Sequence, residues 1–235
     1  MALAEISGTP AILILNSHAL NLTLNWLCNV KTFASVHDRL IIFAFDYVAF
    51  DAISKLWPKI KVLLWPLPEM DVKFKSGDAH YQVFMYWRAN LSAYLASIKR
   101  DFWMFQTDTL WRKNIFEVIS EFEQKIKVCF VWIKFDCNGS LDTDKLLGTN
   151  GNLLFDQEGD QGLLDGMVAG GYFFVKGDTR SECFFTEVAR QLKNYYATDN
   201  NIMTALCAIS YCNNHCYFIP IRFVRFKTKV KVSTE

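Results

Sequence analysis

The sequence lacks any hydrophobic run long enough to cross a membrane. A helical span needs about 20 consecutive apolar residues, whereas the longest apolar runs here, Ala11–Leu15 and Leu40–Phe45, have the length of strands. The segment from Met1 to Pro10 also lacks the basic stretch and apolar core of a secretory signal. We therefore expect no membrane span in this chain. We expect either a cytosolic domain or a longer gene product with a leader or anchor upstream of Met1.

An excess of charge of one sign is also absent. With 25 Lys and Arg against 24 Asp and Glu, the formal net charge is +1, so the chain has no global basic field for nucleic acid or an anionic membrane. We expect no nucleic-acid partner, and local charges must hold any anionic ligand. The sequence also has no P-loop, no glycine-rich dinucleotide fingerprint, no His-Glu-x-x-His motif and no nucleophile elbow. These absences exclude several common enzyme classes.

The seven cysteines form no recognisable framework. Their number is odd, and a chain of 235 residues is too long to need disulfide staples. Cys207, Cys212, His215 and Cys216 do not fit a zinc site, because two of the ligands are adjacent and the spacing matches none of the usual patterns. Glycosylation sequons begin at Asn21, Asn90 and Asn138. Such sequons also arise by chance in a chain with this much Asn, and the first two fall in helical patterns.

The sequence does contain material for a large core. Hydrophobic residues make up 51% and aromatic residues 15%, with 20 Phe among them, which fits one sizeable α/β domain. Short apolar runs alternate with amphipathic stretches, which is the pattern of βα units around a mostly parallel sheet flanked by helices. No linker divides the chain. We therefore predict a single domain over residues 1–235, with its core at about residues 10–213.

The predicted elements follow this alternation. Strands are predicted at residues 11–15, 39–45, 61–65, 102–105, 127–133 and 167–175. Helices are predicted at residues 18–33, 47–56, 78–98 and 114–125, and from about Asp178 and Asp199. Residues 136–166 are rich in Gly, Asn and Asp and predict a long irregular loop. Loops of that length in compact domains are usually functional or mobile.

The segment Phe102–Arg112 carries the clearest chemical signal. Its apolar strand ends in the polar sequence Gln106-Thr-Asp108 and then continues as a predicted helix around Trp111. Because ligands of open α/β sheets bind outside the carboxyl ends of the strands, Asp108 is presented to a ligand. A carboxylate there suits Mg²⁺ or Mn²⁺ shared with substrate phosphates. The alternative is that Asp108 only caps the helix around Trp111.

Transfer of a sugar from a nucleotide diphosphate needs such an arrangement. The diphosphate leaving group gains negative charge as the glycosidic bond breaks, and a metal ion with nearby cations stabilises that charge. Arg88, Arg112 and Lys113 are close enough in the predicted topology to contribute. Asp142-Thr-Asp144 is a second candidate metal motif. It follows a polar loop and lacks the Gly and Glu of a calcium-binding loop, so we interpret it as solvated.

In the order of its motifs the chain resembles the nucleotide-diphospho-sugar transferase family from about Ile12 to Leu206. The sequence Phe105-Gln-Thr-Asp-Thr-Leu-Trp-Arg112 looks like the family's Asp-x-Asp-x-x-Trp-Leu-Arg, and Ala169-Gly-Gly-Tyr-Phe-Phe-Val175 is similar to its Asn-x-Gly-Phe-Phe-Tyr-Val strand. The other similar segments are the opening strand and helix at Ile12–Lys31, the helix with Tyr86-Trp-Arg88, and Asp199-Asn-Asn-Ile-Met203.

This resemblance implies a fold, ligands and a compartment. The fold is GT-A, a Rossmann-like sheet with flanking helices in one domain. The ligands are a nucleotide-diphosphate sugar donor, a saccharide or glycoprotein acceptor, and a Mn²⁺ or Mg²⁺ cofactor. The compartment is the lumen of the secretory pathway, such as the Golgi.

The resemblance also implies roles for individual residues. Asp108 would bind the metal and act in catalysis, with Gln106 beside it as a weaker neighbour in the donor site. The remaining roles are a nucleotide pocket lined by Asn16, a diphosphate contact from Arg88, and positions near the donor sugar for Gly171 and for Asp199, the second predicted catalytic residue.

Some of these residues have simpler alternatives. Asn16 ends a strand and is equally suited to cap the next turn, and Gly170-Gly171 also fits a bulge. Asp199 opens a predicted helix, where we expect it to be the N-cap. Asp46 ends the second strand, and we interpret it as the cap of the following helix rather than as lining of the pocket.

Two departures from the family pattern bear on activity. Gln106 stands where the family has the first Asp of Asp-x-Asp, and Ala169 stands where it has Asn. Gln offers one neutral oxygen, so the metal loses a charged ligand; interactions with charged groups contribute roughly 1.5–3 kcal/mol each. The competing hypotheses are therefore a catalytically inactive scaffold that keeps the fold and a sugar-binding module that takes no nucleotide.

Overall fold

A seven-stranded mixed sheet forms the centre of the protein. The computed structural model describes residues 6, 8–112, 114–116, 151–159, 161–219 and 224–226. Across these ranges no helix combines the length and apolar character needed to cross a bilayer. The predicted helix at residues 114–125 and the predicted strand at 127–133 lie wholly or mostly outside the described residues, as do Lys113, Asp142 and Asp144.

The elements alternate along the chain as the apolar pattern predicts. The strands are β1 (Ala11–Leu15), β2 (Leu40–Ala44), β3 (Lys61–Leu64), β4 (Phe102–Phe105), β5 (Thr109–Trp111), β6 (Gly151–Gln157), β7 (Val168–Val175), β8 (His215–Ile219) and β9 (Val224–Phe226). The helices are α1 (Leu20–Val30), α2 (Val36–Arg39), α3 (Tyr47–Leu56), α4 (Ala79–Ser97), α5 (Thr179–Asn194) and α6 (Asp199–Ala208).

The order of strands in the large sheet is β3-β2-β1-β4-β7-β6-β8. Strands β3, β2, β1 and β4 pair in parallel, and we call them the parallel half. Strand β7 is antiparallel to both β4 and β6, while β6 and β8 are parallel, and we call these three strands the mixed half. The mostly parallel, Rossmann-like sheet predicted from the sequence is therefore confirmed. A separate pair is formed by β5 and β9.

Hydrophobic cores lie on both faces of the sheet. Ile12 and Ile14 of β1 join one core, which α4 and α5 cover, whereas Leu13 and Leu15 join the other core, which α1 and α3 cover. Successive side chains of a strand point to opposite faces, so a strand covered on both faces is apolar throughout. This is why β1 appears in the sequence as an uninterrupted apolar run.

Strand β6 overturns part of the loop predicted at residues 136–166. Residues 136–150 lie outside the described residues, but Gly151–Gln157 is a strand between β7 and β8. Its apolar run is only Leu153-Leu-Phe155, and the polar residues that flank it hid the pattern. Asn152 and Asp156 are nevertheless buried, because Ser181 of α5 and the amide of Gly170 in β7 satisfy their hydrogen bonds.

The helix predicted around Trp111 is also wrong. Residues 109–111 form β5, in which Thr109 and Trp111 are buried and Leu110 is exposed, the two-residue alternation of a strand. Trp111 packs edge-on against Trp26 and Phe105, with ring centroids 5.5 and 5.0 Å apart. This aromatic contact fixes the chain in an extended form immediately after Asp108.

Four cysteines that the sequence left unassigned form two disulfides. Cys183 of α5 pairs with Cys212, and Cys207 of α6 pairs with Cys216 of β8. The Cα–Cα separations of 6.2 and 5.6 Å lie in the ordinary range for disulfides. The second disulfide fastens α6 to β8, and the first fastens α5 to the short turn Tyr211–Asn213 that leads into β8. The expectation that this chain needs no disulfides is corrected here.

Candidate functional site

The predicted site residues gather at one edge of the sheet. Asn16, Asp46 and Gln106 directly follow the last residues of β1, β2 and β4 or lie just beyond them, and these strands run in the same direction. Strand β6 also runs with β4, because each is antiparallel to β7. The carboxyl ends of both halves therefore meet at this edge, where open α/β sheets bind their ligands.

Asn16 is bonded to the loop that lies beside this edge of the sheet. Its side chain is 3% exposed, and Nδ2 donates to the carbonyls of Met70 at 2.7 Å and Val72 at 3.1 Å. The nucleotide contact predicted for Asn16 stays a prediction. Both hydrogen bonds of the side-chain amide go to the loop that follows β3, so Asn16 holds that loop in place.

Asp46 is the N-cap of α3, as predicted. One carboxylate oxygen accepts from the amide of Ala49 at 2.8 Å, and the other accepts from the amide of Ser17 at 2.6 Å. The same side chain therefore caps a helix and fixes the turn after β1.

Gln106 and Asp108 form the tip of β4. The amide of Gln106 donates to the carbonyl of Gly171 at 2.8 Å, which joins this tip to the mixed half. Asp108 is exposed, and none of the described residues forms a hydrogen bond with its carboxylate. Since β5 replaces the predicted helix, Asp108 caps no helix at this point. Within the described part of the chain, its carboxylate is therefore available to a ligand.

Arg88 and Asp199 form a buried ion pair beside this tip. Their side chains are 1% and 8% exposed, and Oδ2 of Asp199 accepts from Nε at 3.0 Å and from Nη2 at 2.5 Å. Nη2 also donates to the carbonyl of Gly170 at 2.7 Å. Nη1 is buried and has no partner among the described residues. Because an unsatisfied buried donor is costly, Nη1 is a candidate contact for a ligand.

Asp199 lies one residue later than predicted. Thr198 is the N-cap of α6, and Asp199 is the first helical residue. The backbone amide of Asp199 is paired with the sulfur of Met85, and Oδ1 accepts from the amide of Asn200 at 2.9 Å. The carboxylate is thus turned towards Arg88 instead of capping the helix.

Asp156 is a buried acid that sequence reasoning missed. Its carboxylate accepts from three consecutive amides, Gly170 at 2.8 Å, Gly171 at 2.9 Å and Tyr172 at 3.2 Å. Burial raises the pKa of Asp156 to about 7, against the opposite effect of these amides and of Arg88. The sequence position could have identified Asp156, because this acid directly follows the apolar run Leu153-Leu-Phe155. Asp108 likewise comes shortly after an apolar run.

Gly170 connects these groups. Its φ of +76° favours glycine, and an added Cβ would lie 3.4 Å from Nη2 of Arg88 and 3.2 Å from Cβ of Asn200. Asp156 holds its amide while Arg88 binds its carbonyl. Gly170 is therefore more than a simple bulge, because its backbone takes part in the buried hydrogen-bond network.

Tyr81 links the buried pair to the tip of β4. Burial raises the pKa of its phenol, Arg88 lowers it, and the carboxylates of Asp199 and Asp108 raise it further. The charges of Arg88, Asp199 and Asp108 therefore lie within electrostatic reach of the Tyr81 phenol.

The residues present suit a metal that the substrate helps to hold. No group of three His, Cys, Asp or Glu that could bind a metal ion occurs in the described part of the chain. Asp108 supplies one free carboxylate, and Gln106 is half-buried beside it. Mg²⁺ is commonly bound through one or two carboxylates together with substrate phosphates and water, so the donor set fits a metal that arrives with a diphosphate.

Known proteins share this architecture. The profile of the family described as nucleotide-diphospho-sugar transferase matches residues 35–235. No curated protein sequence matches the chain. Three solved structures illustrate the likeness.

Mouse xyloside xylosyltransferase 1 has a TM-score of 0.50 and 10% identity over 91% of this chain and 85% of its own. The galactosyltransferase LgtC, in complex with donor and acceptor sugar analogs, has a TM-score of 0.50 and 13% identity over 91% of this chain and 74% of its own. The bifunctional glycosyltransferase WbbM has a TM-score of 0.50 and 11% identity over 92% of this chain, which spans only 39% of that protein. Likenesses at this level of identity show the fold alone.

Proposed function

Because the chain belongs to the nucleotide-diphospho-sugar transferase family and has the GT-A fold, we propose that it transfers a sugar from a nucleotide diphosphate to a saccharide or glycoprotein acceptor. The observation that carries this proposal is the hydrogen bond from the Gln106 amide to Gly171. It places the tip of β4, with the exposed carboxylate of Asp108, beside the Gly170-Gly171 segment, whose Gly170 carbonyl Arg88 binds. An acid for a metal and a cation for the donor thus lie at the same edge of the sheet.

Asp108 would hold a divalent metal at the tip of β4, with Gln106 beside it offering a neutral oxygen. When bound, Mn²⁺ or Mg²⁺ would supply positive charge to the departing diphosphate. Arg112 is exposed just beyond β5 and offers a further cation to the same leaving group.

Arg88 and Asp199 position the sugar end of the donor. Asp199 fixes the guanidinium through two hydrogen bonds, and Gly170 fixes it through a third. The remaining Nη1 then meets a donor oxygen without loss of side-chain freedom, because the guanidinium is already ordered. Gly171 lets the donor approach the backbone closely. These roles of Arg88, Asp199 and Gly171 are part of the proposal.

The variant Asp108→Ala tests the proposal directly. We expect it to abolish metal-dependent binding of UDP in calorimetric titrations with and without Mn²⁺, and to leave folding nearly intact because the side chain is exposed and unbonded. Asp51→Ala is the matched control, since Asp51 is an exposed acid on α3. If Asp108→Ala binds UDP with Mn²⁺ as wild type does, the assignment is wrong. If it unfolds, Asp108 has a structural role instead.

The variant Gln106→Asp tests the metal site from the other side. It restores the family's acid next to Asp108 and should strengthen the dependence of UDP binding on Mn²⁺. If Gln106→Asp does not increase the dependence of UDP binding on Mn²⁺, the tip of β4 does not face a metal.

A catalytically inactive scaffold is the second candidate. It is favoured by Gln106, which leaves Asp108 as the sole acid at the tip of β4. Thermal-shift assays with UDP and Mn²⁺, singly and together, separate the candidates. An enzyme responds most to the pair, a scaffold responds to neither, and a sugar-binding module responds to a saccharide alone.

We also propose that the protein works in the secretory pathway, such as the Golgi lumen. The pairing of four cysteines supports this proposal, because disulfides persist in oxidising compartments and are rare in the cytosol. Localisation of a tagged full-length gene product, with its thiols labelled before lysis, tests it. A cytosolic protein with reduced Cys183, Cys207, Cys212 and Cys216 would contradict it.

A further inference from the structure

The two described glycosylation sequons differ in the environment of their asparagines. Asn21 of the sequon Asn21-Leu-Thr23 is exposed, and no described residue bonds to its side-chain amide. Asn90 of the sequon Asn90-Leu-Ser92 is half-buried in the middle of α4, and its Nδ2 donates to the carbonyl of Tyr86 at 2.8 Å. The sequon at Asn138 lies outside the described residues.

Asn21 lies in the first turn of α1, on the side away from the core. Trp26, Leu27 and Val30 bury the opposite face, while Asn21, Leu22 and Asn25 are exposed. Thr23 of the same turn is buried and its hydroxyl donates to the carbonyl of Ala19 at 3.0 Å, so only the Asn21 side of the turn faces solvent. A glycan on Asn21 would extend into solvent without displacing any described contact, and it would cover part of Leu22, which is 37% exposed.

The side chain of Asn90 is held by its own helix. Its Nδ2 is bonded to the carbonyl of Tyr86, and the residue lines a cavity of about 560 Å³ together with Trp65, Trp87 and Tyr94. The hydroxyl residues do not separate the two sequons, because Thr23 and Ser92 are both fully buried and donate to the carbonyls of Ala19 and Arg88. A glycan on Asn90 would break the bond to Tyr86 within α4, the helix that carries Arg88.

We infer that Asn21 is an N-glycosylation site and that Asn90 remains unmodified in the folded protein. The amide nitrogen of Asn21 bonds to the anomeric carbon of an oligosaccharide carried on a polyprenyl diphosphate. The nitrogen loses one proton, and the diphosphate leaves with the electrons of the broken carbon–oxygen bond. The inference rests on the proposed secretory compartment, which the two disulfides support independently of the sequon, and not on sugar transfer by this protein.

Secretion of the full chain behind a heterologous signal peptide tests this inference. We expect digestion with an amidase that removes N-linked glycans to increase gel mobility, and peptide mapping to find Asn21 converted to Asp. Asn21→Gln should abolish that shift at Asn21, whereas Asn90→Gln, the matched control, should leave it unchanged. A separate Asn138→Gln variant accounts for any additional glycan. An unmodified Asn21, or a glycan on Asn90 in the secreted protein, would overturn the inference.

A second measurement does not depend on secretion or folding. Translation of the chain in the presence of microsomes reports modification of Asn21 as it enters the lumen, and Thr23→Ala must abolish it without changing Asn21. The titration of UDP with Mn²⁺ remains a separate readout. Glycosylated protein that binds no UDP would refute the transferase proposal and leave this inference standing, and unmodified protein that binds UDP would do the reverse.

Discussion

The buried pair of Arg88 and Asp199 allows a stability prediction with a worked magnitude. Asp199→Asn keeps the shape of the side chain and removes its charge. In the variant the guanidinium of Arg88 stays buried, at 1% exposure, and keeps its hydrogen bond to the neutral carbonyl of Gly170. A buried cation without its acid is strongly unfavourable. We therefore expect a loss much larger than that of an average substitution.

The magnitude follows from the two hydrogen bonds to Oδ2, at 3.0 and 2.5 Å. Hydrogen bonds to charged groups contribute roughly 1.5–3 kcal/mol each, and breaking a buried pair costs about 3–5 kcal/mol. Asn retains one neutral oxygen for the guanidinium, so we expect the lower end, about 3 kcal/mol. With a denaturant slope of about 1–3 kcal/mol per molar urea, the midpoint should fall by about 1 M or more.

Urea unfolding followed by tryptophan fluorescence measures this loss, with both disulfides left intact. The matched control is Glu187→Gln, which removes the acid of the pair between Glu187 and Arg190 on α5, whose Arg190 side chain is 56% exposed. We expect a much smaller shift there, because water screens the exposed guanidinium. An Asp199→Asn midpoint equal to that of wild type would refute the reasoning.

A double-mutant cycle separates the pair from other effects. Arg88→Met combined with Asp199→Asn leaves no buried charge, so the double variant should be more stable than the sum of the single losses predicts. This holds even if Asp199→Asn alone does not fold, since the double variant should then restore folding. Additive losses would mean that the two side chains do not interact.

The remaining predictions concern the network around Gly170 and the disulfides. Because burial raises the pKa of Asp156 from 3.8 to about 7, the folded state keeps a proton that the unfolded state has lost; stability should therefore fall as pH rises through this window, and urea midpoints of Asp156→Asn should lack that slope. Gly170→Ala should weaken UDP binding with Mn²⁺ more than Gly77→Ala does, since both have positive φ but only Gly170 has neighbours within 4 Å of an added Cβ. Replacing Cys183 and Cys212 together by Ala should lower the unfolding free energy by about 3.6 kcal/mol, against about 2.6 kcal/mol for the pair Cys207 and Cys216, because their sequence separations are 29 and 9; equal losses would contradict a loop-closure origin.

Local patterns predicted much of the fold. The run Ala11–Leu15 is covered on both faces, so its uninterrupted apolar character identifies a central strand. Asp46 was predicted as a cap because capping depends only on residues within the same turn. These elements are determined by their own residues and near neighbours. A single sequence is sufficient to find them.

The missed features depend on distant partners. Strand β6 holds Asn152 and Asp156 inside the protein, and only the amides and side chains of other elements make that burial possible. The pairing of Arg88 with Asp199, 111 residues later, was not predicted, whereas the diphosphate contact of Arg88 stays a prediction. Strand β5 is set by the packing of Trp111 on Trp26. No local pattern of propensity encodes these contacts.

Two contacts between distant parts of the chain, from Gln106 to Gly171 and from Arg88 to Asp199, also determine when the site can exist during folding. Contacts between residues far apart in sequence form late, because closing a long loop costs entropy before the contact rewards it. A chain that has formed only the parallel half has Asp108 in place, but Arg88 still lacks its acid and Gln106 lacks Gly171. The site is complete only when α6 has docked and β7 has paired with β4. A bound donor would thus distinguish finished molecules from those whose C-terminal helices are still undocked.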